Sequence, residues 1–220
     1  MSNLTANTIS DLAATTTVFV TDLATKTYVT SNAATATPQP NGTAAVDTST
    51  KYAREDHVHA ISSSGITLGT AQTASNNTFF DFTGIPSTAK RITVSFGNVS
   101  TNGTWGLTVQ VGAGSIDTAG YSSSASNGNG GVSTGTITNG FLLMRTTSAG
   151  AAVSGHLTLT HLGGNYWVAS GVAFDPIAGP TYGHGAGAKI LSGSLDRLRI
   201  TTVNGTDQFD SGTVNIMWEV

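Results

Sequence analysis

Two histidines, His57 and His59, stand two positions apart at the end of the segment PQPNGTAAVDTSTKYAREDHVHA, Pro38–Ala60. Residues i and i+2 of an extended chain point to the same side, so both imidazoles share one face. One chain supplies too few ligands there for a closed site. Three chains around a common axis would supply six, enough for an octahedral transition-metal centre such as iron, nickel or zinc. The alternative is a solvated His-x-His in a linker. Charge gathers at the same place. Only 10% of the chain is charged, yet Lys51, Arg54, Glu55 and Asp56 fall within six positions just before the histidines. Such a cluster in a charge-poor chain is expected to meet a partner, with these four side chains pairing between copies.

Elsewhere the chemistry is sparse. The acids of the chain's larger C-terminal part, Asp81, Asp117, Asp175, Asp196, Asp207, Asp210 and Glu219, are scattered with no recognisable pair for acid–base work. There is no Gly-x-Ser-x-Gly and no His-Glu-x-x-His. Gly183, Gly185 and Gly187 alternate without phosphate-loop spacing, which reads as a mobile loop. That loop, Ala178–Gly187, carries Tyr182 and His184, the best surface candidates for ligand contact. An exposed aromatic ring beside flexible glycines can stack on a sugar. Arg197 and Arg199 flank Leu198 on one strand face and suit an anion, a subunit interface or plain solvent. His156 and His161 lie five apart and so point to opposite faces of one strand. Trp105, Trp167 and Trp218 fall in alternating runs, which places them in the core.

The elements that must carry these residues read as all-β. Gly is abundant at 27 residues and Thr, Ser and Asn are frequent, whereas Glu, Lys and Arg are scarce. Ile92–Phe96, Trp105–Val111, Leu157–Thr160, Leu198–Thr201 and Val214–Glu219 alternate with period two. With Phe79–Phe82, Phe141–Met144 and Trp167–Phe174 they make about eight strands, enough for an antiparallel β-sandwich of jelly-roll type. Ser122–Thr136 reads as a long loop, and Asn204–Gly205 as a turn before the last strand.

Three regions follow. Residues 1–37 are β-prone around Val18 and Val20, with a short helical turn expected at Leu23–Tyr28. They hold too little apolar surface to fold alone, so they dock on a partner or form a free arm. Residues 38–64 form an extended Pro/Thr linker ending in the joint Ser62–Gly65. Residues 65–220 form the sandwich.

The absence of cysteine excludes disulfides and thiolate metal sites. Nine basic residues and a formal net charge of −3 leave no basic face for nucleic acid. No run approaches the ~20 apolar residues of a membrane span. The start, MSNLTANTIS, lacks the features of a secretory signal, so synthesis in a cytoplasm is expected.

The Pro38–Ala60 segment resembles a recurring element of bacteriophage tail fibres and related contractile-particle fibres, in which Pro-x-Pro-x-Gly-Thr-Ala leads to Ala-Arg-x-Asp-His-Val-His. Leu23–Val29 (LATKTYV) is similar to a second element of those proteins. Phe82–Thr93 (FTGIPSTAKRIT) and Leu195–Asp210 (LDRLRITTVNGTDQFD) look like pieces of their C-terminal β-sandwich module. This chain departs at Ala60, where the motif usually ends in proline. The resemblance implies a non-enzymatic homotrimeric virion protein, with His57 and His59 as axial metal ligands. Residues 1–37 would attach to other virion proteins, and the sandwich would present a knob to a glycan or protein of the host surface. The alternative is a purely structural head fibre, decoration protein or tail adaptor.

Overall fold

The computed structural model describes residues 8–10, 17–19, 65–128, 132–145, 148–177 and 181–220. The chain divides into two units, Met1–Ser64 and Gly65–Val220. In the first, β1 (Thr8–Ser10) pairs antiparallel with β2 (Thr17–Phe19). The expected helical turn at Leu23–Tyr28 and the whole Pro38–Ala60 segment lie outside the described residues, and with it Lys51, Arg54, Glu55, Asp56, His57 and His59.

The second unit is all-β, with no helix among its described residues. The chain enters at Gly65 and forms β3 (Ile66–Leu68), β4 (Gln72–Thr73), β5 (Phe79–Thr83) and the long β6 (Arg91–Thr101). Then come β7 (Leu107–Ala113), β8 (Ser115–Ile116), β9 (Ser122–Gly128), β10 (Val132–Ile137) and β11 (Phe141–Leu142). The last five are β12 (Val153–Gly163), β13 (Tyr166–Asp175), β14 (Thr181–Ile190), β15 (Arg197–Thr202) and β16 (Phe209–Glu219). One sheet runs β10-β9-β14-β13-β12-β6-β16-β3, with β4 also on β16; the other runs β11-β7-β15-β5, with β8 on β7. Every pairing is antiparallel.

The two sheets close over one core because their facing strands alternate. Ile92, Val94 and Phe96 on β6 and Leu157 and Leu159 on β12 meet Val109, Val111, Leu198 and Ile200 of the smaller sheet, all buried. Trp167 is buried and Trp218 packs against the core, as their alternation predicts.

Several expectations are overturned. The second unit holds fourteen strands among its described residues rather than about eight, because β3, β4 and β8 are too short to show a period and β9, β10 and β14 are written mostly in small and polar residues. Ser122–Thr136 is no single loop: Ser122–Gly128 is β9 and Val132–Ile137 is β10, paired as a hairpin. Gly183, Gly185 and Gly187 do not form a mobile loop but lie within β14. Their role is close approach. A Cβ at Gly185 would run into the carbonyl oxygen of Leu142, and one at Gly183 would come within 2.6 Å of the Met144 side chain. A Cβ at Gly187 would sit 2.9 Å from the Phe141 ring. Phe141–Met144 is fully buried, and these glycines are what let it pack so tightly on the sheet.

The chain leading into β9 is anchored by Tyr121 and Lys189. The buried Tyr121 hydroxyl accepts from Val111 N at 2.8 Å and is 2.9 Å from the Asp117 carbonyl. Lys189, only 8% exposed, sits 2.8 Å from the Asp117 carboxylate, donates to Ala119 O and lies 5.0 Å over the Tyr121 ring.

Candidate functional site: the aromatic end of the sandwich

The long strand β6 fixes two ends of the second unit. Arg91 pairs with Glu219 beside the point where the chain enters, since Val220 N donates to Gly65 O at 2.8 Å. Thr101 pairs with Phe209 at the other end. Ten steps of about 3.3 Å put the two ends ~33 Å apart.

Registers carry the far end across the larger sheet. Val99 of β6 faces Val153 of β12, the next residue Ser154 faces Phe174 of β13, Phe174 faces Tyr182 of β14, and Tyr182 faces Gly128 of β9. The next row on the same face is His156, Val172, His184 and Ser126. Side chains alternate across a strand, so Ala173 and Gly183 point inward while Phe174, Val172, Tyr182 and His184 point out. Tyr182 is 59% exposed, Val172 52% and Phe174 47%. His156 and His184 are exposed on either side of Val172. The result is an apolar and aromatic surface with an imidazole at each flank. Beside it, the buried Ser126 hydroxyl has no hydrogen-bond partner.

Tyr182 and His184 were expected in a loop; they stand on a strand. The correction matters, because a strand holds both residues at fixed spacing on one face. Phe174 and Val172 join them only through sheet pairing, which no local signal in the sequence reveals.

Two loops complete this end. Residues 102–106 join β6 to β7, and 203–208 join β15 to β16. Trp105, expected in the core, is 50% exposed and precedes β7 rather than belonging to it. The glycines at 103 and 106 were the missed signal: they break the alternating run before Leu107. Phe79 opens β5 at the same end, opposite Thr201, and is 41% exposed. Phe79, Trp105, Phe174 and Tyr182 are the exposed aromatic side chains among the described residues, and all lie at the end away from Gly65.

The arginines do not form an open anion site. Arg199 grips Asp81 with two hydrogen bonds of 2.7 Å and covers the Phe79 ring at 3.8 Å. Its guanidinium is held still more firmly charged by that carboxylate. Arg197 is held likewise by Asp196. His156 and His161 point to opposite faces, as their spacing predicts; His161 stacks on Trp167 with centroids 4.9 Å apart. No cluster of three or more metal-ligating side chains occurs among the described residues.

Compared with known protein families, curated proteins and solved structures, the chain matches none. What fold and site define together is an antiparallel β-sandwich with an exposed aromatic end.

Proposed function

We propose that this chain is a non-enzymatic, homotrimeric fibre protein of a phage virion, made in the host cytoplasm. Residues 1–37 attach it to other virion proteins, and the sandwich Gly65–Val220 is a knob that binds a glycan or protein of the host surface. The observation that supports this reading best is the polarity of the knob. The covalent joint to the preceding residues is at Gly65, and the exposed aromatics gather at the opposite end. Among them Phe174 and Tyr182, paired across β13 and β14 with Val172 beside them, make a contiguous exposed apolar patch, and such patches mark interaction sites, since large rings gain most from being covered. Three such ends on one trimer act together, and avidity exceeds single-site affinity by roughly 10²–10⁴.

A second reading has its own support. Edge strand β3 exposes Ile66 at 55% and Leu68 at 70%, and Val220 beside Gly65 is 60% exposed. An apolar edge suits burial against another virion protein, as in a structural head fibre, decoration protein or tail adaptor. Adsorption separates the two. The purified chain is expected to bind host cells and to compete with the phage that carries it. Particles that adsorb undisturbed at saturating protein, with no chain on the cells, would leave the structural reading in possession.

A further inference from the structure

On the outer face of the larger sheet, β10, β9 and β14 carry a block of small side chains. Thr136 faces Ser124, and Ser124 faces Ala186. Two residues along, Ser122 faces Ala188, with Thr138 beside them on the chain leaving β10. Larger side chains bound this block along β14: His184 and Tyr182 on one side, and Ile190, 67% exposed, on the other. Between them the small residues leave a groove of about 450 Å³, within the range of about 300–1,000 Å³ typical of small-ligand sites. Its floor is pinned from the inner side. Ser123 Oγ accepts from Leu142 N at 2.9 Å and lies 3.3 Å from Ala186 O, to which it donates. A groove formed in advance in this way loses little freedom when it is filled.

The groove offers hydroxyls and methyls and no charge. Ser124 Oγ donates to Gly135 O at 3.0 Å and keeps acceptor capacity. The hydroxyls of Ser122, Thr136 and Thr138 make no hydrogen bond within the described residues. Neither Asp, Glu, Lys nor Arg stands on the outer face of β9, β14, β13 or β12, whereas the smaller sheet's outer face carries Asp81, Arg197 and Arg199. A charged ligand laid in the groove would lose water and find no opposite charge. Ser126 adds an independent sign of a ligand. It stands on the same face of β9, two residues beyond Ser124 and opposite His184. It is 9% exposed, and its hydroxyl has no hydrogen-bond partner. Native folds seldom leave such a group unpaired. A hydroxylated ligand running from the groove toward His184 supplies the partner.

We propose that this groove binds a stretch of neutral sugar chain. Hydroxyls of the sugar exchange hydrogen bonds with Ser122, Thr136 and Thr138, and its C–H faces lie on the methyls of Ala186 and Ala188. This rests on the reading of the sandwich as a knob that binds the host surface; it adds the class of ligand and a site beside Tyr182 and His184. The test follows carbon-13-labelled alanine methyls of the full chain, with Ala186 and Ala188 assigned by the loss of their signals in Ala186→Ser and Ala188→Ser. The probes are maltohexaose, cellohexaose, mannohexaose and the hexamer of N-acetylglucosamine, with oligogalacturonate as the charged control. At least one neutral chain is expected to shift both methyls saturably in the millimolar range, with the buried Ala169 and Ala173 unmoved and the charged control silent. Ser122→Ala with Thr136→Val and Thr138→Val should weaken that response roughly fivefold or more at an unchanged melting temperature. Ala186→Leu, which fills the floor at an exposed position, should abolish the Ala188 shift. Silence with all four neutral chains, an equal response to oligogalacturonate, or full affinity in both variants overturns the site. So does a shift of the same methyls on dilution without sugar, which would make the face a contact between copies. Binding to host cells that persists alongside silence overturns the sugar site and leaves the knob reading standing. A chain that answers the sugar but does not bind host cells keeps the site and strikes that reading instead.

Discussion

Phe174 and Tyr182 face each other directly across β13 and β14, both on the outer face of the larger sheet. An exposed cross-strand aromatic pair contributes only about 0.2–1 kcal/mol to stability. The double variant Phe174→Ala with Tyr182→Ala is therefore expected to unfold within about 1 kcal/mol of the wild type while losing most of its binding to host cells. Urea unfolding and labelled-protein binding measure the two separately. Unchanged cell binding would remove this pair from the recognition surface.

Gly185 is expected to tolerate no side chain. Its inner face meets the backbone carbonyl of Leu142, which has no rotamer to move aside. Gly185→Ala should cost about 1–3 kcal/mol by overpacking, and Gly185→Val more. Gly84 is the control: its φ is 78°, yet a Cβ there meets nothing within 4 Å, so Gly84→Ala carries only a backbone penalty. Equal melting temperatures for Gly185→Ala and wild type would mean that the Leu142 carbonyl does not press on Gly185.

Removing one oxygen from Tyr121 tests the anchor on β7. The hydroxyl satisfies Val111 N–H and lies within bonding distance of the Val111 and Asp117 carbonyls. Tyr121→Phe leaves the buried Val111 N–H unpaired, a loss of about 1–3 kcal/mol. Burial pushes the phenol's pKa well above its ordinary value, with Asp117 adding to the effect against the Val111 hydrogen bond. A raised folded-state pKa gives stability that is complete below the ordinary tyrosine value near 10 and lost as pH rises above it. The gap between wild type and Tyr121→Phe should accordingly narrow in alkaline urea titrations.

These cases show where the sequence was legible. Leu198–Thr201 and Ile92–Phe96 announce themselves because one face is large and apolar and the other polar, so period two is written in residue type. β9 and β14 are written in serine, glycine and alanine, and their bulk is supplied from elsewhere: Phe141, Leu142 and Met144 fill the space that Gly183, Gly185 and Gly187 leave open. Small residues that read as loop are small because another segment lies on them. Tyr182 and His184 were therefore found as candidates but placed in the wrong kind of element. Phe174 joined them through β13–β14 pairing, which is not local, and Trp105 was misplaced by extending the β7 alternation through Gly106.

Asp196 is expected to titrate at about 2, below the usual carboxylate range. The first cause is its side-chain hydrogen bond from Arg197 at 2.8 Å, and Gly114 N–H adds a second at 3.0 Å. A depressed folded-state value gives stability that is present above the unfolded carboxylate pKa of about 3.9 and is lost as pH falls toward 2. The pair is open to solvent, so its energetic weight is small. The carboxyl carbon-13 shift followed through acid is the direct readout. Arg197→Gln should return the midpoint toward the ordinary value, and an unmoved midpoint would assign the shift to the backbone donor instead.

The proposed trimer makes a prediction that the sandwich alone does not. That proposal has Pro38–Ala60 extended with His57 and His59 on one face, three copies supplying six imidazoles, and Lys51, Arg54, Glu55 and Asp56 pairing between chains around them. The full chain is expected to have the mass of a trimer by light scattering and to hold iron, nickel or zinc by elemental analysis. His57→Ala with His59→Ala should remove the metal and lower the melting temperature of the trimer, and chelation of the wild type should approach the same state. The two claims separate. A trimer without metal leaves the association intact and discards the ligand role of the histidines. A stable monomer at micromolar concentration discards both, and with them the argument that charge this concentrated in a charge-poor chain is there to meet its own copies.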